Sequence, residues 1–272
     1  MTQEEFSRIV IFMKNRYGID LSRKKEIVEG RLGYYVQKEG FGDYTKYMNA
    51  VESDVSGTLE KQLVNLLTTN HTFFMRECEH FEFLKEKVLP WLRKKEEAKK
   101  DLCIWCGASS TGEEPYTLAM VLKDFFGFEH TMWDTKVLAT DISTDVLEQA
   151  VAGIYAREQV EGIPLSWKRR FFKESPDGEF YEVRQEIKEE VIFRQFNLMN
   201  PFPFKRKMHI VFLRNVMIYF DNDTKRRLVQ KVYDIMEPGG YLFIGRTETL
   251  DSNSVPFRLI QPSIFRKEEG KR

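Results

Sequence analysis

The segment with the clearest chemical character runs from Cys106 to Tyr116 and reads CGASSTGEEPY. Its small residues follow a predicted strand and precede a predicted helix, so free N–H groups at the helix start can approach a ligand closely. The segment lacks G-x-G-x-x-G, and Glu113 and Glu114 place two carboxylates where a pyrophosphate would bind. This disfavours a nicotinamide cofactor and favours one with an amino or positively charged group. Alternatively, the two glutamates only complement the helix dipole.

A further acidic residue, Asp141, ends the second predicted strand in the sequence LATDIS. A carboxylate at that position can accept hydrogen bonds from both hydroxyls of a ribose, which supports an adenosine-bearing ligand. Aspartate is also a common turn residue, so Asp141 alone does not decide the point.

Histidine and cysteine offer little chemistry in this chain. The four histidines are dispersed and no pair has metal-ligand spacing, so we expect no metal site. Three cysteines, an odd number, predict reduced thiols rather than a disulfide framework. Cys103 and Cys106 form a C-x-x-C pattern, but they fall in a predicted strand, which disfavours a redox role.

Short apolar runs alternate with helical segments from Asp101 onward, which predicts an open α/β sheet of the doubly wound type. The predicted strands are 102–107, 136–140, 209–213 and 241–245. The predicted helices are 114–126, 144–150 and 224–236, the last closed by the Pro-Gly-Gly at 238–240. Residues 176–196 predict a small antiparallel insertion with strands at 179–183 and 191–196, and 257–266 predict a closing hairpin.

The first 68 residues show helical periodicity interrupted by glycine, which predicts a small domain of three or four helices. We place this helical domain at 1–75, a linker helix at 76–100 and the α/β domain at 101–272. The linker helix ends in a charge run, 93–100, that is typical of a solvated surface.

Overall composition limits the partners and the location. The chain has 42 lysines and arginines and 42 aspartates and glutamates, so its formal net charge is zero. A chain without net positive charge has no overall attraction for nucleic acid. Its apolar runs are far shorter than the ~18 residues of a membrane span, and its first residues lack signal-peptide features. We therefore expect a soluble cytoplasmic protein.

Four segments occur in order along the chain: TTNHTFFMRE at 68–77, STGEEPY at 110–116, RNVMIYF at 214–220 and PGG at 238–240. Together they resemble the chemotaxis receptor methyltransferase (CheR) family, and the resemblance extends from residue 1 to about residue 266. Met75 departs from the family, which usually has a phenylalanine there, and Gly107-Ala108 varies the turn. The resemblance implies a Rossmann-like domain that uses S-adenosylmethionine to methylate glutamate side chains on chemoreceptors, and a monomer.

The resemblance implies nine cofactor-binding residues: Asn70, Thr72, Arg76, Glu113, Asp141, Asn197, Leu198, Arg214 and Asn215. Arg76 would meet the methionine carboxylate, Glu113 the amino-acid end and Asp141 the ribose. Asn70 and Thr72 could instead be helix caps, and Asn197 a turn residue.

A glutamate substrate would make a catalytic histidine unnecessary. Its carboxylate has a pKa near ~4.3, so the nucleophile is ionised at neutral pH without a general base. Alignment of the reacting atoms and exclusion of water would supply the rate. By resemblance, Tyr219 and Arg93 would hold the substrate, although Arg93 could be a solvated linker charge.

Receptor recognition is expected from the second predicted helix. Lys24 and Arg31 are seven residues apart and share a face, which could meet the acidic helical bundle of a chemoreceptor's cytoplasmic domain or be merely solvated. Whether the insertion at 176–196 binds a receptor's carboxyl-terminal tether stays open. The rivals are a methyltransferase acting on a small molecule or RNA, and a signalling module without catalysis; intact Arg214, Tyr219 and Asp141 disfavour the latter.

Overall fold

The computed structural model describes residues 1–250 and 256–268. The predicted domain end at residue 272 therefore lies outside the described residues. The first part of the chain forms four helices: α1 (Gln3–Tyr17), α2 (Lys25–Lys38), α3 (Tyr44–Ser53) and α4 (Thr58–Leu67). A capping box between Thr2 and Glu5 begins α1, and the Asp43 carboxylate caps α3. The helices enclose an apolar core of their own, and the prediction of a helical amino-terminal domain is confirmed.

The interdomain segment, 68–78, leads into a continuous helical stretch made of α5 (Glu79–Phe83), a π turn (Leu84–Val88) and α6 (Leu89–Lys95). This stretch is not only a linker, because its buried side packs on the sheet. Only its last part, which carries the predicted charge run, is largely exposed.

Within the described residues, ten strands and five further α-helices follow. The strands are β1 (Ile104–Gly107), β2 (Val137–Asp141), β3 (Ile154–Ala156), β4 (Phe172–Glu174), β5 (Phe180–Val183), β6 (Val191–Gln195), β7 (Met208–Leu213), β8 (Met236–Ile244), β9 (Phe257–Gln261) and β10 (Ile264–Lys267). The helices are α7 (Glu113–Phe126), α8 (Thr144–Ala152), α9 (Leu165–Phe171), α10 (Gln185–Lys188) and α11 (Asn222–Ile235).

Seven strands form one sheet in the order β6-β2-β1-β7-β8-β10-β9. The first five are parallel, and the β9–β10 hairpin adds to β8 in the antiparallel sense, as predicted for the carboxyl-terminal tail. The chain winds outward in both directions from β1, so the gap between β1 and β7 is a topological switch point.

Helices cover both faces of this sheet. On one face Cys106 packs in a cluster with Leu118 of α7, and on the other face its neighbour Trp105 packs in a cluster with Leu228 of α11. Alternate side chains of one strand thus enter two cores, which confirms the doubly wound α/β fold. Among the described residues, no helix is long and apolar enough to cross a membrane.

The predicted insertion at 176–196 is right in its first strand, which is β5 of a small antiparallel sheet, but wrong in its second. A three-stranded antiparallel sheet does exist, but it is ordered β3-β5-β4 and lies earlier in the chain, within 154–183. The segment assigned to its second strand is β6, which pairs in parallel with β2 at the edge of the large sheet. A short strand with one buried side has the same sequence pattern in either sheet.

The Pro-Gly-Gly at 238–240 lies within β8 and does not close the preceding helix, which ends at Ile235. A Cβ at Gly240 would come within 3.0 Å of the carbonyl oxygens of Glu237 and His209. Glycine is therefore required there for close approach of the main chains of β7 and β8.

Candidate active site

A cavity of about 320 Å³ lies between the helical domain and the carboxyl ends of β1, β2 and β7. This is the switch-point edge of the sheet, where open α/β folds bind ligands. Eight of the nine predicted cofactor-binding residues line it: Asn70, Thr72, Arg76, Asp141, Asn197, Leu198, Arg214 and Asn215. Three other predicted residues, Tyr219, Lys24 and Arg31, line the same cavity.

The turn after β1 forms one wall of the cavity. Ala108 and Ser110 have positive φ angles of 59° and 49°, and Gly112 has a φ of 97°. The Ser110 N–H donates to the Asp141 carboxylate at 2.8 Å, and the Ser110 hydroxyl donates to the Asn70 carbonyl oxygen at 2.8 Å. The turn is thereby joined to the end of β2 and to the interdomain segment.

Asp141 is buried at the cavity wall. Its two carboxylate oxygens accept N–H groups of Ser110 and Ser143, one each, at 2.8 and 3.0 Å. Burial raises the pKa of Asp141, while these main-chain bonds oppose the rise. Each oxygen keeps a second lone pair, so the group can still accept two hydroxyl hydrogen bonds from a ribose.

Glu113 is the one predicted cofactor-binding residue that does not line the cavity. Its side chain is only 1% exposed and accepts a hydrogen bond from the Thr111 hydroxyl at 2.7 Å, and burial raises the pKa of its carboxyl. Glu114, which the sequence analysis did not select, lines the cavity instead. Adjacent residues on a helix point about 100° apart, and the sequence does not show which one faces the ligand.

Arg214 joins the interdomain segment to the sheet. Its buried guanidinium pairs with Glu114 at 2.7 Å and Glu77 at 3.1 Å, and it donates to the Arg76 carbonyl oxygen. The same group lies 5.5 Å from the ring centroid of Phe81. A cation paired with two carboxylates in this way holds the wall in one arrangement.

The other predicted polar residues meet main-chain groups. Arg76 donates to the His71 carbonyl oxygen at 2.8 Å. Asn197 donates to the Arg16 carbonyl oxygen at 2.8 Å and accepts the Met199 N–H at 2.9 Å, so it is a turn residue as well as a lining residue. Asn70 and Thr72 cap none of the described helices.

Tyr219, Lys24 and Arg31 meet at the cavity. Tyr219 ends a short 3-10 turn (Met217–Tyr219), and its hydroxyl donates to the Thr69 carbonyl oxygen at 3.4 Å. The Lys24 ammonium lies 4.8 Å from the Tyr219 ring centroid. Arg31 donates to the Thr68 carbonyl oxygen at 2.8 Å.

The predicted shared face of Lys24 and Arg31 is turned toward the cavity. Lys24 is the residue before α2, where the chain turns toward Tyr219, and Arg31 points at the interdomain segment. Both side chains belong to the wall of the shared cavity.

Arg93 does not belong to the site. It lies on the exposed side of α6, outside the cavity, and pairs with Glu129 at 2.6 Å. A run of charges has no apolar periodicity to fix its register, so sequence resemblance could not locate a single basic residue within it.

The three cysteines are unpaired, and burial raises the pKa of the Cys103 and Cys106 thiols. No cluster of potential metal ligands exists within residues 1–250 and 256–268.

The doubly wound sheet, the small-residue turn after β1 and the acidic residue at the end of β2 define an α/β enzyme domain that binds an adenosine cofactor. Family models agree: the CheR methyltransferase all-alpha domain matches residues 4–68, and the CheR methyltransferase SAM binding domain matches residues 70–265. The chain therefore belongs to the CheR methyltransferase family, and it is an S-adenosylmethionine-dependent methyltransferase.

Relatives cover nearly the whole chain. A chemotaxis protein methyltransferase of Borreliella burgdorferi is 37% identical, with 98% of this chain and 95% of the relative covered. The chemotaxis protein methyltransferase of Escherichia coli is 34% identical, with 97% and 91% covered. Among solved structures, the glycopeptide N-methyltransferase MtfA complexed with S-adenosylhomocysteine covers 67% of this chain and 57% of that chain at 16% identity. Its TM-score is 0.35, which is too low to bear on the site.

Proposed function

We propose that this protein transfers a methyl group to glutamate side chains in the cytoplasmic domains of chemotaxis receptors. The observation that carries the proposal is the position of Lys24 and Tyr219 in the wall of the cavity that also contains Asp141. A cation and a hydroxyl beside the cofactor-binding residues suit a carboxylate substrate. The relatives named chemotaxis protein methyltransferase support the same substrate class.

The cofactor would be held by the residues that line the cavity. Asp141 would accept the ribose hydroxyls, Arg76 would pair with the methionine carboxylate, and Glu114 offers an acceptor for the amino group. Apolar side chains such as Ile142 and Phe196 offer a surface for the adenine ring. The bound cofactor supplies a methyl group on a sulfonium.

The protein's own contribution to the reaction is positioning. The substrate carboxylate is ionised at neutral pH, so no residue has to remove a proton. Lys24 and Tyr219 would fix its oxygens, while Arg31 and Arg214 hold the interdomain segment closed over the sheet. Water would be excluded by the helical domain, which contributes apolar side chains such as Ile19, Leu21 and Ile27 to the cavity wall.

Domain organisation and location complete the proposal. The helical domain, 1–75, and the α/β domain, 101–272, would both contribute residues to the cavity, with the helical stretch at 76–100 between them. We place the protein in the cytoplasm as a monomer, where it meets receptors at the membrane surface.

Transfer of labelled methyl groups from S-adenosylmethionine to receptor-bearing membranes tests the function. We expect label on receptor glutamates as base-labile methyl esters. Label on RNA or on small molecules alone would replace the proposed substrate, and cofactor binding without transfer would indicate a signalling module.

Lys24→Met and its neighbour Arg23→Met form a matched pair for the substrate site. Lys24 lines the cavity, whereas Arg23 is exposed outside it. We expect Lys24→Met to lower kcat/KM for receptor about tenfold and Arg23→Met to leave it within about twofold. Equal effects of the two changes would show that only surface charge matters.

A further inference from the structure

Glu248 occupies an unusual position between the ends of β7 and β8. Its side chain is 7% exposed, and its carboxylate accepts four main-chain hydrogen bonds. The donors are the N–H groups of Gly245, Met217, Asn215 and Ile218, at 2.6, 2.7, 2.9 and 3.3 Å. Buried carboxylates usually pair with a cation, whereas this one is satisfied by oriented amide dipoles.

The four bonds are divided evenly between the two carboxylate oxygens. Oε2 accepts Gly245 and Asn215, and Oε1 accepts Met217 and Ile218. One side chain therefore fastens the end of β8 to the whole turn that follows β7. An ionised carboxylate can do this because it offers only acceptors.

The fastened segment, 215–219, carries cavity residues at both of its ends. Asn215 has a φ of 57°, in the left-handed region, and a Cβ at Gly245 would collide with its side chain. Tyr219 closes the segment on the cavity. Glu248 does not itself line the cavity, so any effect on the reaction must act through this segment.

We propose that Glu248 is a positioning residue for methyl transfer, which sets the places of Asn215 and Tyr219 by fixing the main chain between them. The proposal rests on the proposed role of Tyr219 for its catalytic part. The structural part of the proposal is that the Glu248 carboxylate orders segment 215–219. This part does not depend on which substrate the protein methylates.

Glu248→Gln is the direct test. An amide has one oxygen, so two of the four N–H groups would lose their acceptor and face an NH₂ group. We expect amide hydrogen exchange in 215–219 to accelerate about tenfold without change in the rest of the sheet. We expect kcat to fall about 10- to 100-fold, and the dissociation constant for S-adenosylmethionine to rise by a smaller factor.

Glu96→Gln is the matched control. Glu96 is also buried, at 6% exposure, and faces His209 at 3.5 Å, but it lies outside the cavity. A general loss of packing would appear in this variant as a lower Tm. Exchange in 215–219 and kcat should stay at the wild-type values.

Three outcomes would overturn the proposal. The first is wild-type exchange and kcat in Glu248→Gln, and the second is a loss of protection in Glu248→Gln that spreads over the whole domain instead of 215–219. Glu248→Asp keeps the carboxylate on a side chain that is one methylene shorter, and it is used for the same measurements if Glu248→Gln does not fold. Failure of both Glu248 variants to fold, with Glu96→Gln folded, would assign Glu248 to global stability only. Absence of receptor methylation by the wild type would reject the proposed function but leave the exchange result standing.

Discussion

At the scale of single residues, Asp141 lines the cavity and each of its carboxylate oxygens accepts one main-chain hydrogen bond. Asp141→Ala removes the acceptor that we assign to the ribose, so S-adenosylmethionine binding should weaken by about 1.5 to 3 kcal/mol. Isothermal titration calorimetry of the folded variant measures this loss directly.

Ser143→Ala is its control at the same strand end. The Ser143 side chain caps α8, whereas its main-chain N–H still reaches Asp141. This variant should lose about 1 kcal/mol of stability and keep its cofactor affinity. Unchanged affinity in Asp141→Ala would reject the ribose assignment.

Tyr219→Phe tests the substrate side of the cavity. The hydroxyl makes only a long bond of 3.4 Å, so its removal should disturb the fold little. Turnover of receptor should fall while cofactor affinity stays nearly intact, because we assign the hydroxyl to the substrate carboxylate. Tyr233→Phe, on α11 against Phe257, is the control. Equal turnover in the two variants would remove Tyr219 from the reaction.

The family resemblance implied eight residues that line the cavity, and residue types alone indicated the turn at 106–116 and Asp141, but the sequence does not show side-chain direction or register. Glu113 and Glu114 are equivalent in sequence, and only the orientation of α7 separates them. Arg93 begins the charge run at 93–100, where several basic residues follow one another, and in the structure it pairs with Glu129. Glu248 gave no signal, because three of its four main-chain partners lie 30 or more residues earlier and only Gly245 is near it in sequence.

At the scale of elements, the connection between α1 and α2 ties the helical domain to the segment that carries Tyr219. The Asp20 N–H donates to the Tyr219 carbonyl oxygen at 2.8 Å, and Ile19 forms a β-bridge with Phe220. Lys14 also pairs with Asp221 at 2.8 Å. The position of Tyr219 therefore depends on contacts from both domains.

Gly18→Ala should disturb this connection. Gly18 has a φ of 73°, and a Cβ would lie 2.7 Å from the Met199 sulfur. Gly40 has a φ of 76° with open space around it, so Gly40→Ala measures the backbone cost alone, about 1 to 2 kcal/mol. Gly18→Ala should cost about 1 to 3 kcal/mol more, and it alone should lower turnover. Urea unfolding measures the stability of the two variants, and receptor methylation measures their turnover. Equal values for Gly18→Ala and Gly40→Ala would contradict the dependence of Tyr219 on the α1–α2 connection.

The helices of the first domain and the central strands of the large sheet were predicted well from the sequence. The four helices of the first domain and strands β1, β2 and β7 agree closely with the sequence pattern. Only β5 of the small sheet was predicted, because the three-residue strands β3 and β4 carry too little sequence pattern. Pairing of β6 with β2 is a long-range contact, which local sequence does not encode.

At the scale of the whole molecule, three buried histidines each face a carboxylate. His80, His209 and His130 lie 3.6, 3.5 and 3.7 Å from Glu77, Glu96 and Glu190 respectively. Burial nevertheless lowers the pKa of all three imidazoles, to about 4 for His80, where Arg214 acts in the same direction. The folded protein therefore keeps them neutral at pH values where the unfolded chain binds protons.

This difference predicts a loss of stability in mild acid. The pKa of the His80 imidazole is lower in the folded protein than its unfolded value of 6.5, so the unfolded state binds more protons as the pH falls from about 7 to 4. The free energy of unfolding therefore decreases over that pH range. For His80 the full effect is about 3 kcal/mol.

Urea unfolding at pH 7, 6 and 5 should show this decline in stability. His80→Gln should make the decline shallower, because glutamine stays neutral and can bond the Ser263 hydroxyl that His80 contacts at 2.7 Å. His71→Gln, at an exposed position, should keep the wild-type slope. Parallel slopes in all three proteins would show that other groups cause the acid sensitivity.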